Sequence, residues 1–184
     1  MSRDGDRFSP LLALVALVGV AAALAFLRPG AAVPARASIA PAAPVRLVVP
    51  SLDLRAAVVP IEVETSGVLH PPADVHDVGW WRRSAEPGAA HGPTLLTGHT
   101  VSSGGGVMDR LGDLRRGDRV VVRTREGRVN YEATKVEVLS RAELAAQRRA
   151  LFGRGGPARL VLVTCTDWDG HVYESNVVVT ARPV

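Results

Sequence analysis

The 184-residue sequence contains one cysteine, Cys165, and one lysine, Lys135. One cysteine cannot close an internal disulfide, so packing alone must hold any fold this chain adopts. Aromatic residues make up 4% of the chain, which leaves Val, Leu and Ala to fill a core. Basic residues give a net charge of +4, but they are scattered along the chain. No aromatic side chains interleave with them, which argues against a nucleic-acid partner. There is no internal repeat. The apolar fraction of 47% is ample for a core and excludes a disordered chain.

One long apolar run is present. Phe8 to Leu27 reads FSPLLALVALVGVAAALAFL without a charge. As a helix it spans roughly 30 Å, enough to cross a bilayer. A cleaved signal peptide is the rival reading, with a shorter apolar core and a small-residue site close behind it. Ala35-Arg36-Ala37 resembles such a site but stands well past the run. We therefore read 8–27 as an uncleaved transmembrane anchor and 1–7 as a short cytoplasmic terminus. Residues 28–45, rich in Pro and Ala, read as an extended spacer. Residues 46–184 then form an exported domain at the outer face of the cell membrane. Arg3 and Arg7 before the run balance Arg28 and Arg36 after it, so the short N-terminus decides the orientation.

From Arg46 on, short β-type runs are punctuated by Gly, Pro and Asp. They are RLVVP (46–50), VVPIEV (58–63), TLLTGH (94–99), RGDRVVVRT (116–124), RVNYEATKVEVL (128–139), RLVLVTC (159–165) and YESNVVVTA (173–181). Two pairs read as hairpins, one across 125–127 and one across the polar loop after Cys165. VMDRLGDL (107–114) predicts one or two helical turns. RAELAAQRRAL (141–151) predicts a helix, with Ser140 as N-cap and Glu143 three residues on. Valine on both sides of the strand alternation favours an all-β closed barrel with one or two short helices over a one-sided sheet.

Cys165 and His99 each end an apolar run and precede a loop. Rigid strand ends opening into loops are where a scaffold positions reactive groups. A free thiol is mostly protonated at neutral pH; an imidazole can take its proton and later protonate a leaving amine. The pair is thus the minimal pattern for thiolate nucleophilic catalysis. The plain alternatives are an inert buried cysteine and a capping or surface histidine among the five present.

The ordered set TGH (97–99), VTC (163–165) and YESNVVVTA (173–181) resembles the sortase family, the cysteine transpeptidases tethered to the outer face of Gram-positive membranes. GWW (79–81), the Pro87-Gly88 turn, VMDRLGDLRRGDRVVV (107–122) and the order anchor, spacer, barrel resemble the class F group of actinobacteria. The resemblance covers about residues 45–182. It implies an eight-stranded barrel in which Cys165 attacks the Thr–Gly carbonyl of a Leu-Pro-x-Thr-Gly-like sorting signal. His99 would act as general acid/base. The implied partners are surface proteins that carry such a C-terminal signal and an amine acceptor, a peptidoglycan cross-bridge or a pilin lysine. No metal or organic cofactor is implied, since acyl transfer requires only proton handling and oxyanion stabilisation.

The family's third residue is an arginine on the last strand. Aligning Tyr-Glu-x-x of this chain with the family's Trp-Glu-x-Arg puts Asn176 at that position. An amide can donate to an oxyanion but brings no charge; alternatively, Asn176 satisfies the loop backbone. Arg182 lies six residues on, about 20 Å along a strand, too far to substitute. Arg82, Arg83 or Arg110 are other sources of a cation. Thr164 is placed to orient the thiol, or is simply a β-branched strand residue. Asp167 and Asp169 are too few for a calcium site and read as loop solvation. Trp80 and Trp81 are placed to line a groove, or one of them belongs to the core. Gly104–Gly106 make either a mobile gate beside His99 or a plain connector. Two further readings stay open: a cysteine peptidase with water as acceptor, and a non-catalytic cell-surface barrel that binds proteins or glycans.

Overall fold

The computed structural model of the protein describes residues 39–64 and 69–184. The apolar run at 8–27 and most of the spacer lie outside these residues. Among the described residues no helix is long and apolar enough to cross a membrane.

Eight runs of mainly β-branched and apolar residues form strands: β1 (Pro44–Val49), β2 (Leu54–Ile61), β3 (Val78–Trp81), β4 (Pro93–Gly98), β5 (Arg119–Thr124), β6 (Arg128–Ser140), β7 (Arg159–Trp168) and β8 (Tyr173–Pro183). They close into a barrel in the order β1-β2-β3-β4-β7-β8-β6-β5, so no strand edge is left to aggregate. Inward residues of every strand fill the interior, among them Leu47, Val58, Leu96, Val122, Leu160 and Val179. Valine and leucine carry this core, as the scarcity of aromatics requires. The one tyrosine in it, Tyr131, bonds to Thr94, and burial pushes its phenol up to about 12.

β1 begins at Pro44, two residues before the expected domain start, and Ala42 already donates from its N–H to Pro87 O at 3.3 Å. The end of the spacer is thus stitched to the barrel. β3 was not among the seven runs read as strands. It is four residues long and contains a glycine, but it pairs parallel to β2 and antiparallel to β4. Trp80 points into the core, whereas Trp81 is half-buried against the barrel's outer surface. Within 107–114 the helical geometry is limited to one three-residue turn, Leu111–Asp113.

Helix α1 (Arg141–Phe152) follows β6 directly. The Ser140 hydroxyl accepts from Glu143 N, and the Glu143 carboxylate accepts from Ser140 N at 2.8 Å, a complete capping box. At the other end, the Arg159 guanidinium donates to the carbonyls of Ala150, Leu151 and Gly153, orphan acceptors of the last turn. Between these clamps α1 lies on a second apolar cluster outside the barrel, made by Leu95, Leu139, Leu151, Val161 and Val178, with Leu69, Trp81, Leu144 and Val163 around it.

Candidate active site

Parallel pairing decides where the reactive groups meet. β4 and β7 are neighbours and run parallel, with Thr97 level with Val163. β4 ends at Gly98 while β7 runs on to Trp168, and carrying the register two residues further brings His99 level with Cys165 at this rim. Adjacent strands are about 4.8 Å apart. β8 is antiparallel to β7 and places Asn176 directly opposite Cys165, while β6 places Leu139 opposite Asn176. One row across the rim thus reads His99, Cys165, Asn176, Leu139.

Strand alternation assigns the face. Leu160 and Leu162 point into the barrel, Val161 and Val178 point out; Cys165 and Asn176 share the outward parity, and so does His99 by continuation from Leu95. Thr164, of inward parity, is 3% exposed, and its hydroxyl straddles His99: it donates to Gly98 O at 2.8 Å and contacts Thr100 Oγ1 at 2.8 Å. This double bond from the residue before the thiol to the residues on either side of the imidazole locks the two strand ends together. Tyr173 adds a third tie by donating from its hydroxyl to Thr100 O at 2.9 Å.

His99 Nε2 lies 2.8 Å from Pro72 O. A carbonyl only accepts, so Nε2 carries the hydrogen and the lone pair of the neutral ring sits on Nδ1. The backbone behind His99 is equally fixed. Its carbonyl accepts from Met108 N, and the Asp109 carboxylate accepts from Val101 N and Gly106 N, folding the 101–109 loop back on itself. Gly106 is required there: a Cβ would sit 2.7 Å from His99 O. The glycines at 104 and 105 adopt positive φ with nothing near a Cβ, so the tip of this loop is open.

The thiol is half-buried and unpaired, and burial pushes its pKa up while the charge of Arg141 pulls it down. The resting sulfur is accordingly a thiol that must lose its proton to act. The Asn176 amide makes no hydrogen bond to the described residues and does not tie down the loop. That task falls to Asp169, which accepts from His171 N and Val172 N at 2.7 Å each. This uses Asp169 as a turn residue, and no cluster of metal-binding type occurs among the described residues.

The arginines considered as cations are elsewhere. Arg82 pairs with Glu62 at 3.3 Å beyond the other end of β3, and Arg83 follows it. Arg110 pairs with Asp113. Arg182 pairs with Glu132, at the far end of the β7–β8 ladder from Cys165. The cation whose charge reaches the thiol is Arg141, the first residue of α1, which the sequence showed only as part of a helix. A cleft of about 340 Å³, lined by Asp53, Arg55, His76 and Arg110 among others, borders the 106–110 loop but includes none of His99, Cys165 and Asn176. The reactive row lies instead on the shallow outer face next to α1.

Comparison with known proteins agrees with this architecture. Among solved structures, sortase C-1 from Actinomyces oris superposes with a TM-score of 0.57 at 24% identity, covering 76% of this chain and 72% of that one. Sortase A from Corynebacterium diphtheriae gives 0.59 at 18% identity, over 79% of this chain and 62% of that one. Sortase C-1 from Streptococcus pneumoniae gives 0.57 at 15% identity, over 76% and 65%. These likenesses concern the fold. A search of curated proteins gives no match. The sortase domain profile matches residues 47–184, three quarters of the sequence. The chain therefore belongs to the sortase family, the cysteine transpeptidases that act on peptide bonds.

Proposed function

We propose that the protein cleaves a Leu-Pro-x-Thr-Gly-like sorting signal through a thioester on Cys165 and passes the acyl group to an amine. The observation that supports this reading is the β4–β7 register, which, continued by two residues, brings His99 level with the lone thiol. His99 Nδ1 takes the thiol proton as sulfur attacks the threonine carbonyl carbon. The resulting imidazolium keeps its Nε2–H bond to Pro72 O, strengthened by the charge. Collapse of the tetrahedral intermediate breaks the C–N bond, and His99 returns the proton to the departing glycine amine. An acceptor amine then attacks the thioester, and the thiol is released. Asn176 donates an amide hydrogen to the oxyanion. The apolar surface of Trp81, Val163 and Leu144 suits the Leu-Pro end of the signal.

The acceptor is a peptidoglycan cross-bridge amine or a pilin lysine. Phe8–Leu27 anchors the chain, the barrel works outside the cell, and the overall pattern is that of class F. The full chain in detergent, incubated with a Leu-Pro-x-Thr-Gly peptide and a small amine, is expected to yield the amide of the shortened peptide. Mass spectrometry should also find the acyl adduct on Cys165, absent in Cys165→Ala. Hydrolysed peptide as the only product would favour a peptidase, and no adduct at all would leave a binding module. A membrane-impermeant thiol reagent should label Cys165 on intact cells; labelling only after lysis would refute the outward orientation.

A further inference from the structure

The reactive row described above contains one neutral donor, Asn176, and no cation on β8. Acyl transfer places a full negative charge on the carbonyl oxygen, and preorganised positive charge is the strongest means of stabilising it. Among the described residues, the fold brings the cation Arg141 toward the row. Ser140 is level with Ser175 on β8, and Leu139 with Asn176, which is level with Cys165. Leu139 is therefore two strand spacings from Cys165, about 10 Å, and Arg141 follows two residues later as β6 turns into α1. Its side chain is directed to the β7–β8 hairpin: Nη2 donates to Tyr173 O at 2.5 Å. Tyr173 packs on Trp168 three residues beyond Cys165, with ring centroids 4.9 Å apart, and its hydroxyl bonds to Thr100 O next to His99. The guanidinium is thus held to the start of β8, opposite Trp168, with further N–H donors left for a ligand. The capping box fixes the backbone from which it projects.

We propose that Arg141, from the start of α1, binds the scissile carbonyl of the substrate and stabilises its oxyanion. As the sulfur–carbon bond forms, the carbonyl π pair moves onto oxygen. Arg141 from the start of α1 and Asn176 from β8 approach that oxygen, one with charge and one without. The role rests on Cys165 being the nucleophile. An independent sign of proximity is that Arg141 opposes the upward push of burial on the Cys165 thiol. Asp169, in the turn between β7 and β8, is held below the ordinary carboxylate range mainly by the N–H groups of Val172 and His171, and also feels the charge of Arg141.

The test compares the full-length wild type with Arg141→Gln, Arg141→Lys and, as a charge control on the exposed side of α1, Arg148→Ala. Glutamine keeps a donor and similar length but no charge, and melting curves confirm that each variant folds. In the transpeptidation assay Arg141→Gln is expected to lose about 10²–10³-fold in kcat/KM, Arg141→Lys to recover part of it, and Arg148→Ala to match wild type. Alkylation of Cys165 by neutral iodoacetamide is expected to need higher pH in Arg141→Gln and to return toward wild type in Arg141→Lys. That shift reports the proximity of the charge to the thiol, whereas a kcat/KM loss in a variant that folds reports contact with the substrate. An active wild type with Arg141→Gln equally active overturns this assignment alone. An inactive wild type overturns the nucleophilic reading of Cys165 and this assignment with it.

Discussion

The residue that does most to hold the site together is neither nucleophile nor base. Thr164 spends its hydroxyl on Gly98 O and Thr100, and so fixes the strand end that carries His99. Thr164→Val keeps the β-branched shape and removes both bonds. It leaves Gly98 O buried without this partner, at a cost of about 1–3 kcal/mol, and frees His99 to drift. Misplacement of that kind lowers kcat about ten- to a hundredfold. Steady-state kinetics alongside urea unfolding would measure both; unchanged kcat in the folded variant would reduce Thr164 to a packing residue. The sequence showed the types at 99, 165 and 176, and the hairpin after Cys165 made Asn176 its neighbour. It left Arg141 unseen, because the relation of Arg141 to the thiol passes through two strand registers. No local pattern encodes that β8 sits between β7 and β6.

At the scale of elements, α1 is clamped at both ends by different means and for different ends. Ser140 and Glu143 secure the turn that carries Arg141, whereas Arg159 gathers carbonyls at the far end, away from the reactive row. Ser140→Ala should lower Tm by a few degrees and also reduce kcat/KM, since it loosens the base of Arg141. Arg159→Ala should lower Tm while the folded enzyme keeps its kcat/KM. Equal effects of both variants on activity would show that the helix acts only as a lid on the apolar cluster. The helix and its cap were legible because the Ser-x-x-Glu spacing is a local signal. β3 was not: Val-Gly-Trp-Trp is too short to show an alternation, and it becomes a strand by filling the gap between β2 and β4.

The whole barrel depends on a core with almost no polar atoms, and Tyr131 is its titratable exception. Its phenol has a folded value of about 12 against an ordinary value of 10, so the folded state holds the proton more tightly. The associated stability is complete below pH 10 and is lost as pH rises from 10 to 12, by about 2–3 kcal/mol. Over that range the denaturant midpoint of wild type should fall more steeply with pH than that of Tyr131→Phe if the phenol is responsible. A wild type as insensitive to alkali as the phenylalanine variant would show that Tyr131 titrates freely. Closure of the sheet was readable from valine on both faces of the strands. The strand order was not, because β4 and β7 are separated in sequence by a hairpin and a helix.

The β4–β7 seam has a kinetic corollary. Thr164 and Gly98 are 66 residues apart in the chain, so the groups flanking the sulfur meet only when β7 docks on β4 across that separation. Contacts of such long sequence separation form late and slowly. In refolding from urea, catalytic competence should lag the recovery of β-sheet circular dichroism, so that an unfolded chain carries an unactivated thiol until β7 docks on β4.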